Sequence, residues 1–296
     1  MTRTVTILYT LALITAVGPP NTGCDSSSDI VDPPAQWVLT MSDEFDSGSS
    51  PSAELWTIET GYGPEDIPPG WGNDEWQEYT ASPDNVRIED GNLVITAQCA
   101  NAPSGPCSKR DGSITSARLV TKVYDCDGGK CGFEQERGRF EARIKIPEGE
   151  GLWPAFWMLG ANIDEVPWPG CGEIDVVENF GRDKAVVKGS LHGPGYSGGA
   201  SVGGSVELSG GETFADDFHV FAVEWDPGRM TFLVDDEVYH IIRSAEVSGR
   251  GDWVFNNEFF MLLNLAVGGA PVPNPPSSIF PAEMLIDYVR VFERAQ

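Results

Sequence analysis

Short apolar or alternating segments, separated by turn residues, follow one another from Trp37 to the end of the chain. Such segments are typical of β-strands, and none keeps the ~3.6-residue period of an amphipathic helix. Turn signals such as Asp90-Gly91 fall between them. The predicted strands cover residues 92–98, 114–121, 140–146, 186–191, 220–225, 230–234, 259–266 and 284–292.

This succession of short strands predicts an all-β domain of two packed antiparallel sheets. We find no internal repeat and no second domain, so residues 36–296 are predicted to form one domain. The Gly/Ser-rich stretch at residues 197–204 is predicted to be a flexible surface loop rather than a linker.

The charge balance limits the partners that the protein can bind. Asp and Glu number 45 against 19 Lys and Arg, which gives a net charge of -26. A surface this negative repels nucleic-acid phosphates and anionic lipid, and it equally disfavours a sulfated or carboxylated polymer. The composition therefore favours a neutral substrate and no nucleic acid.

The first 23 residues are predicted to be an export signal. Arg3 gives a positive start, and the apolar run after it is too short to span a bilayer. Cys24 then opens a polar tether over residues 24–35, which resembles a bacterial lipoprotein with an acylated cysteine. Asn21 stands where such signals usually carry leucine, so a lipid anchor at Cys24 and simple release both stay open. Either way, the protein is predicted to be secreted or attached to the cell surface.

The cysteine spacing agrees with export. Cys99 and Cys107 bracket a short loop, as do Cys126 and Cys131, and both spacings suit local disulfides although spacing cannot fix the connectivity. Half a metal site at the second pair is disfavoured, because no further Cys or His pair has matching spacing. Cys171 would be a free thiol if the N-terminal cysteine carries lipid.

Three carboxylates within six residues form the most informative segment, Glu-Ile-Asp-Val-Val-Glu. In a regular strand, Glu173 and Asp175 share a face while Glu178 points to the opposite one. One extra residue, a β-bulge at Val176-Val177, brings Glu178 back to the face of the other two. The sequence therefore predicts three acids lining one cleft face, provided that the bulge forms.

Clustered acids on a strand face suit glycoside hydrolysis. A retaining enzyme needs a carboxylate nucleophile and a carboxylic acid about 5–5.5 Å apart. Crowding raises the pKa of one carboxyl, as a general acid at neutral pH requires. A solvated acidic edge would not usually alternate so tightly with Ile and Val, and calcium prefers turning, Gly-containing loops. Catalysis is the preferred interpretation over these two.

Aromatic side chains lie near the three acids in the sequence. Trp153 and Trp157, four residues apart, both face the cleft if their strand is regular, and Trp168 lies between them and the acids. Indole faces stack on the apolar faces of sugar rings, so the combination suits a saccharide. His192 follows the next strand, and from chemistry alone it would be assigned a structural role.

These segments resemble glycoside hydrolase family 16, and more closely its laminarinase-like β-1,3-glucanases. The resemblance runs from about residue 37 to residue 292. It is carried by Glu-Ile-Asp-Val-Val-Glu and Leu-Trp-Pro-Ala-Phe-Trp-Met, with support from residues 70–75, 115–119, 138–143, 263–269 and 286–291.

The resemblance implies a β-jelly-roll sandwich whose concave sheet forms the substrate cleft. It implies a monomeric retaining endo-hydrolase of β-1,3-glucan without a catalytic cofactor. Glu173 would be the nucleophile, Asp175 the assisting acid and Glu178 the acid/base. The implied sugar-binding positions, with Trp168 added as an aromatic beside the acids, are Asn73, Arg118, Trp153, Trp157, Trp168 and His192.

Family relatives often bind a structural calcium on the convex side, and the matching positions here are Glu44, Gly91 and Asp287. Relatives commonly have Asn-Asn-Glu-Leu-Gln where residues 73–77 read Asn-Asp-Glu-Trp-Gln, a departure that bears on the sugar held at the non-reducing side.

Several alternatives remain open. A non-catalytic glucan-binding protein typically lacks the acids, which are all present here. A transglycosylase would share every residue. Agarases share the bulged motif, whereas enzymes for mixed-linkage glucan usually carry a shorter form. Laminarin-type glucan is the preferred substrate, with some action on mixed-linkage glucan.

Overall fold

The computed structural model describes residues 36–127 and 129–295. The predicted export signal (1–23) and tether (24–35), with Cys24, lie outside the described residues. The described residues belong to one compact unit that begins at Gln36. No helix among them is long and apolar enough to cross a membrane.

Strands make up most of the regular structure. In chain order they are β1 (Trp37–Asp43), β2 (Thr57–Glu59), β3 (Glu78–Tyr79), β4 (Val86–Glu89), β5 (Asn92–Cys99), β6 (Ile114–Ser116), β7 (Arg118–Val120), β8 (Tyr124–Cys126), β9 (Gly129–Cys131), β10 (Glu134–Gln135), β11 (Gly138–Lys145), β12 (Leu152–Gly160), β13 (Glu173–Glu178), β14 (Val186–His192), β15 (Val202–Glu207), β16 (His219–Asp226), β17 (Arg229–Val234), β18 (Glu237–Arg243), β19 (Phe259–Val267) and β20 (Ala282–Arg294). The helical segments are α1 (Ser244–Val247), the 3₁₀ turns Ala161–Asp164, Gly198–Ala200 and Ser277–Ile279, and a π-type turn at Gly70–Asp74.

The strands form two large sheets. The back sheet has the order β18-β17-β16-β11-β20-β5-β6-β3, with β1 beside β20 and β4 beside β5. The cleft sheet has the order β15-β14-β13-β12-β19-β7-β2, with β10 beside β19. Described pairings are antiparallel except β3 with β6, and β8 and β9 form a separate hairpin.

Alternation along the strands places one continuous core between the sheets. On β13, Ile174, Val176 and Val177 are each at most 1% exposed and join that core. Burying a side chain of this size contributes about 1.5–3 kcal/mol each relative to leaving it in water. Central strand β19 is buried along its whole length, because its second face also lies under cleft side chains. Strand β13 is thereby anchored on one face, which fixes the direction of its acids.

Most predicted strands match observed ones to within a few residues, but the strand predicted at 114–121 is wrong. Strand β6 ends at Ser116 in the back sheet, and β7 begins at Arg118 in the cleft sheet. Ala117 is where the chain changes sheets, and it is fully buried. Apolar alternation continues through this position, so the pattern carries no sign of the break.

The Gly/Ser-rich stretch at 197–204 is also more ordered than predicted. It contains the turn Gly198–Ala200, and its last residues begin β15, the edge strand of the cleft sheet. The predicted local disulfides are present, as Cys99–Cys107 and Cys126–Cys131. Cys171 is buried and unpaired among the described residues.

Candidate active site

The predicted β-bulge is present in β13. Asp175 pairs with Trp157 and Val177 pairs with Phe156 of β12, which leaves Val176 as the extra residue. The pairing with β14 shifts at the same place. Since both valines enter the core, Glu173, Asp175 and Glu178 all point to the opposite face, into the cleft.

Two side chains of β14 connect the acids. Ser190 donates a hydrogen bond to Asp175 Oδ2, and its Oγ lies 3.5 Å from Glu178 Oε2. His192 Nε2 lies 3.1 Å from Asp175 Oδ2 and 3.6 Å from Glu173 Oε1. Asp175 thus lies between the two glutamates, with Ser190 beside it on the side of Glu178 and His192 on the side of Glu173.

Each outer glutamate also accepts a hydrogen bond from an indole. Trp168 Nε1 donates to Glu173 Oε2 at 2.8 Å, and Trp153 Nε1 donates to Glu178 Oε1 at 3.0 Å. Trp168 is 46% exposed, so it offers a ring face to solvent while its N–H fixes the carboxylate. Both tryptophans therefore orient acids as well as border the cleft.

Burial and mutual repulsion change the acidity of the cluster. Burial, and then the charge of Asp175, raise the pKa of Glu173 to about 8 and that of Glu178 to about 7. The two protons belong to an interacting set rather than to single residues. The cluster consequently retains at least one proton at neutral pH, which a general acid requires.

A hydrogen bond at Nδ1 determines the protonation state of the His192 ring. Burial lowers its pKa, but the hydrogen bond to Asp175 and the surrounding carboxylates raise it, to about 9 overall. Nδ1, however, accepts a hydrogen bond from Gly198 N–H at 3.0 Å, so Nδ1 carries no proton in this arrangement. This arrangement fixes the neutral ring, with its proton on Nε2 facing Asp175.

One group in the described part of the chain has the spacing of a metal site. Ligand atoms of Glu173, Asp175 and His192 all lie within 4.8 Å of one another. A histidine ligand would need a free lone pair on Nε2 and a proton on Nδ1, where Gly198 N–H already donates. The cluster is therefore a hydrogen-bonding unit and not a metal centre.

A second set of aromatic side chains forms one arm of the cleft, beyond β12. The guanidinium of Arg118 lies between the rings of Trp71 and Trp157, 4.5 and 4.8 Å from their centroids, and it also pairs with Glu59. Cation–π contacts of this kind hold rings at a fixed spacing. Asn73 belongs to the turn that carries Trp71, which places it on the same arm.

The six predicted sugar-binding positions therefore fall into two groups: Trp153, Trp168 and His192 surround the acids, whereas Asn73, Arg118 and Trp157 lie on the arm.

Sequence reasoning missed Ser190 and Lys188, whose Nζ lies 3.9 Å from Glu178 Oε2. A signal for both was available, because residues 188, 190 and 192 alternate on the strand that follows the motif. Glu75, Tyr79 and Asn264, which support the arm, carried no local signal, since they come from three separate segments.

The residues predicted to hold calcium lie on neighbouring back-sheet segments. Glu44 follows β1, Gly91 lies in the turn between β4 and β5, and Asp287 is on β20. Arg290 donates two hydrogen bonds to the Glu44 carboxylate, and Arg143 donates one to Asp287. Because different arginines engage the two carboxylates, these side chains as placed do not fit a shared cation.

Buried carboxylates on one face of a cleft strand, held by indole N–H groups within a two-sheet sandwich, define a glycoside hydrolase. Residues 73–269 match the model of glycosyl hydrolases family 16, and the chain belongs to this family. The predicted family and the all-β jelly-roll sandwich are confirmed.

Known proteins agree with this assignment. A beta-glucanase of Rhodothermus marinus is 37% identical over 282 residues, which cover 91% of this chain and 90% of the relative. A glucan endo-1,3-beta-glucosidase of Cryptopygus antarcticus is 37% identical over 248 residues, 79% of this chain and 81% of the relative. The solved endo-beta-1,3-glucanase of Pyrococcus furiosus superposes with a TM-score of 0.79 at 42% identity, covering 88% of this chain and 96% of that one.

Proposed function

We propose that the chain is a retaining endo-hydrolase of β-1,3-glucan, in which Glu173 is the nucleophile and Glu178 the acid/base. The observation that carries this proposal is the bulge at Val176, which turns both glutamates and Asp175 into the cleft. The names of the relatives, a beta-glucanase and endo-1,3-beta-glucosidase, support the glucan substrate.

In the first step, the Glu173 carboxylate attacks the anomeric carbon and Glu178 protonates the departing glycosidic oxygen. This forms a glycosyl ester on Glu173 and releases the leaving chain. The reaction requires the proton on Glu178 and the negative charge on Glu173, although burial holds the pKa of Glu173, at about 8, above that of Glu178, at about 7. Because the two sites interact and share their protons, the reactive form is the one in which Glu178 holds the proton. Trp168 N–H donates a hydrogen bond to Glu173 and favours that charge.

In the second step, Glu178 removes a proton from water, which attacks the same carbon and frees Glu173 with net retention. Asp175 assists both steps through its charge, which raises the pKa of Glu178 so that this group can take up and give back a proton near neutrality. Ser190 and His192 hold Asp175 in place by donating to Oδ2. Only side chains of this chain and water take part.

The net charge of -26 supports a neutral glucan over a sulfated galactan. Reducing-sugar release from laminarin, lichenan, agarose and κ-carrageenan tests the substrate, with Glu173→Gln as the matched inactive variant. We expect cleavage of laminarin, weaker cleavage of lichenan and loss of both in Glu173→Gln. Activity on a galactan alone would overturn the substrate, and binding without cleavage would favour a glucan-binding protein. New, longer oligosaccharides would indicate a transglycosylase.

We also propose that the protein acts as a monomer outside the cytoplasm, released or anchored through lipid on Cys24. The sequence of residues 1–35 supports the location outside the cytoplasm. Cys24→Ser tests the anchor: loss of a membrane-bound fraction on expression in a bacterium would support lipidation, whereas an unchanged soluble fraction would support release. Gel filtration of the purified domain tests the monomer.

A structural calcium ion, which the family resemblance implies, is not built into this proposal because arginines engage Glu44 and Asp287. The test is the melting temperature with calcium, with calcium followed by EDTA, and in the variant Asp287→Asn. A rise with calcium that EDTA reverses and that Asp287→Asn abolishes would support a calcium site here.

A further inference from the structure

Glu75 is a buried carboxylate that the proposed reaction does not use. It is 3% exposed and follows the turn Gly70–Asp74. Its Oε2 accepts hydrogen bonds from Gln77 Nε2 at 2.6 Å and from Tyr79 OH at 3.2 Å, and its Oε1 accepts one from Asn73 Nδ2 at 3.3 Å. Burying a carboxylate is costly unless hydrogen bonds compensate for the lost water, and these three donors supply that compensation and hold the group in one orientation.

The hydrogen bonds run in one direction from the cleft to this carboxylate. Trp157 Nε1 donates to Asn264 Oδ1 at 2.7 Å, and Asn264 Nδ2 donates to the Tyr79 hydroxyl at 3.1 Å. Tyr79 in turn donates to Glu75, which is the final acceptor. Because Asn264 and Tyr79 each accept one hydrogen bond and donate the next, the acceptor at the end fixes the orientation of the Asn264 amide and, through it, the Trp157 ring.

The orientation of Gln77 is fixed independently. Its Oε1 accepts a hydrogen bond from Val267 N–H at 2.8 Å, which turns its NH₂ group toward Glu75. Glu75 must therefore present an acceptor to both Gln77 and Tyr79. In the variant Glu75→Gln, the single amide oxygen would have to accept hydrogen bonds from both Gln77 and Tyr79. The new NH₂ group would face Asn73 Nδ2, which is also a donor, so the hydrogen bond between residues 73 and 75 would be lost.

Burial raises the pKa of Glu75, and the charge of Arg118, the third member of the arm, acts against this effect and favours the carboxylate. The carboxylate is thus in direct contact with Asn73, linked through two side chains to Trp157, and electrostatically coupled to the guanidinium between Trp71 and Trp157. We propose that Glu75 is a positioning residue that sets the shape of this arm and thereby determines which bond of a bound glucan is cleaved. This inference rests on the proposed glucan substrate.

The test is the cleavage pattern of a β-1,3-gluco-hexaose labelled at its reducing end. With the arm weakened, the hexaose gains less from occupying it and shifts along the cleft. We expect Glu75→Gln and Tyr79→Phe each to move cleavage toward bonds that leave fewer sugars in the arm, with kcat/KM lowered about tenfold. A variant that is merely less stable cleaves more slowly in unchanged proportions, because the pattern does not depend on the active fraction.

The matched control is Glu65→Gln, the same exchange at an exposed carboxylate in the segment before the turn Gly70–Asp74. The control should keep the wild-type pattern. Wild-type proportions in both Glu75→Gln and Tyr79→Phe would overturn the inference.

Failure of the proposed function gives a different result. A wild-type protein that cleaves no β-1,3-gluco-oligosaccharide contradicts that function and leaves no pattern to compare. The affinity of Glu173→Gln for laminarin is then compared with that of Glu173→Gln/Tyr79→Phe. About tenfold weaker binding in the double variant supports the positioning role, and equal affinity overturns it.

Discussion

Lys188 holds its ammonium group 3.9 Å from the Glu178 carboxylate, across the β13–β14 pairing. Burial and Asp175 raise the pKa of Glu178, and Lys188 lowers it. Trp153, Ser190 and His192 also face this carboxylate, and burial, together with the charges of Asp175 and Glu178, raises the pKa of the nearby Tyr239 hydroxyl. Lys188 thus opposes the effect of Asp175 on Glu178, the proposed proton donor.

Lys188→Met should extend activity to higher pH. Removing the positive charge raises the pKa of Glu178, so the acid stays protonated further into the alkaline range. The alkaline limb of the kcat/KM profile is expected to rise by about half to one pH unit. Lys184→Met is the control, since that side chain is exposed and pairs with Glu148. If the alkaline limb of the kcat/KM profile is the same in Lys188→Met as in wild type, the charge of Lys188 does not affect the pKa of Glu178.

Glu178→Gln should stabilise the protein at alkaline pH while abolishing activity. The folded pKa of about 7 lies above the reference value of 4.5, so the folded state binds more protons than the unfolded one between these values. Wild-type stability therefore falls as pH rises through that window, and the neutral amide escapes the loss. We expect Glu178→Gln to gain about 1–3 kcal/mol over wild type at pH 8 and little at pH 4.

Urea unfolding of both proteins at a series of pH values between these limits provides the measurement. A constant difference across the series would contradict a raised pKa for Glu178 in the folded state.

Azide rescue should distinguish the two glutamates. In Glu173→Ala, azide fills the space of the nucleophile and attacks an activated aryl glycoside once, which gives an α-glycosyl azide. In Glu178→Ala, the ester on Glu173 still forms and azide attacks it from the other face, which gives a β-glycosyl azide. NMR of the products identifies the anomer, and wild type with azide is the control. Exchanged anomers would reverse the assigned roles.

Trp168→Phe should impair the nucleophile without removing the aromatic ring. In the wild type, the hydrogen bond from Trp168 N–H lowers the pKa of Glu173, and the variant loses this bond. The pKa of Glu173 should therefore rise in the variant and move the acidic limb of the pH profile to higher pH. We also expect kcat to fall about tenfold. Trp253→Phe is the matched control, because its Nε1 makes no hydrogen bond to a described residue. If both variants have the same profile, the indole N–H of Trp168 does not set the acidity of Glu173.

Local alternation was sufficient to predict most strands and the bulge. Glu173 and Glu178 are five residues apart, so in a regular strand they would point to opposite faces. Only an extra residue, which lies at Val176, could place both carboxylates on one face. The passage from β6 to β7 at Ala117 could not be predicted in this way, since alternation does not tell one sheet from the other.

The hydrogen-bond chain from Trp157 to Glu75 could not be predicted either. Its members lie on β12, β19, β3 and the segment before β3, and each is an ordinary polar residue in its local context. Only the folded arrangement brings them together, because the contacts join residues as far apart as 185 positions in the sequence.

The extra residue at Val176 also bears on how this gene can change. Deleting that one codon would reverse the phase of the strand beyond it, so that Glu178 would turn from the cleft into an apolar interior. Insertions and deletions are usually harmless in exposed loops, yet here a single lost codon would remove the acid/base and bury a charge at once. Over evolutionary time this position should accept exchanges between apolar side chains and reject any change in length.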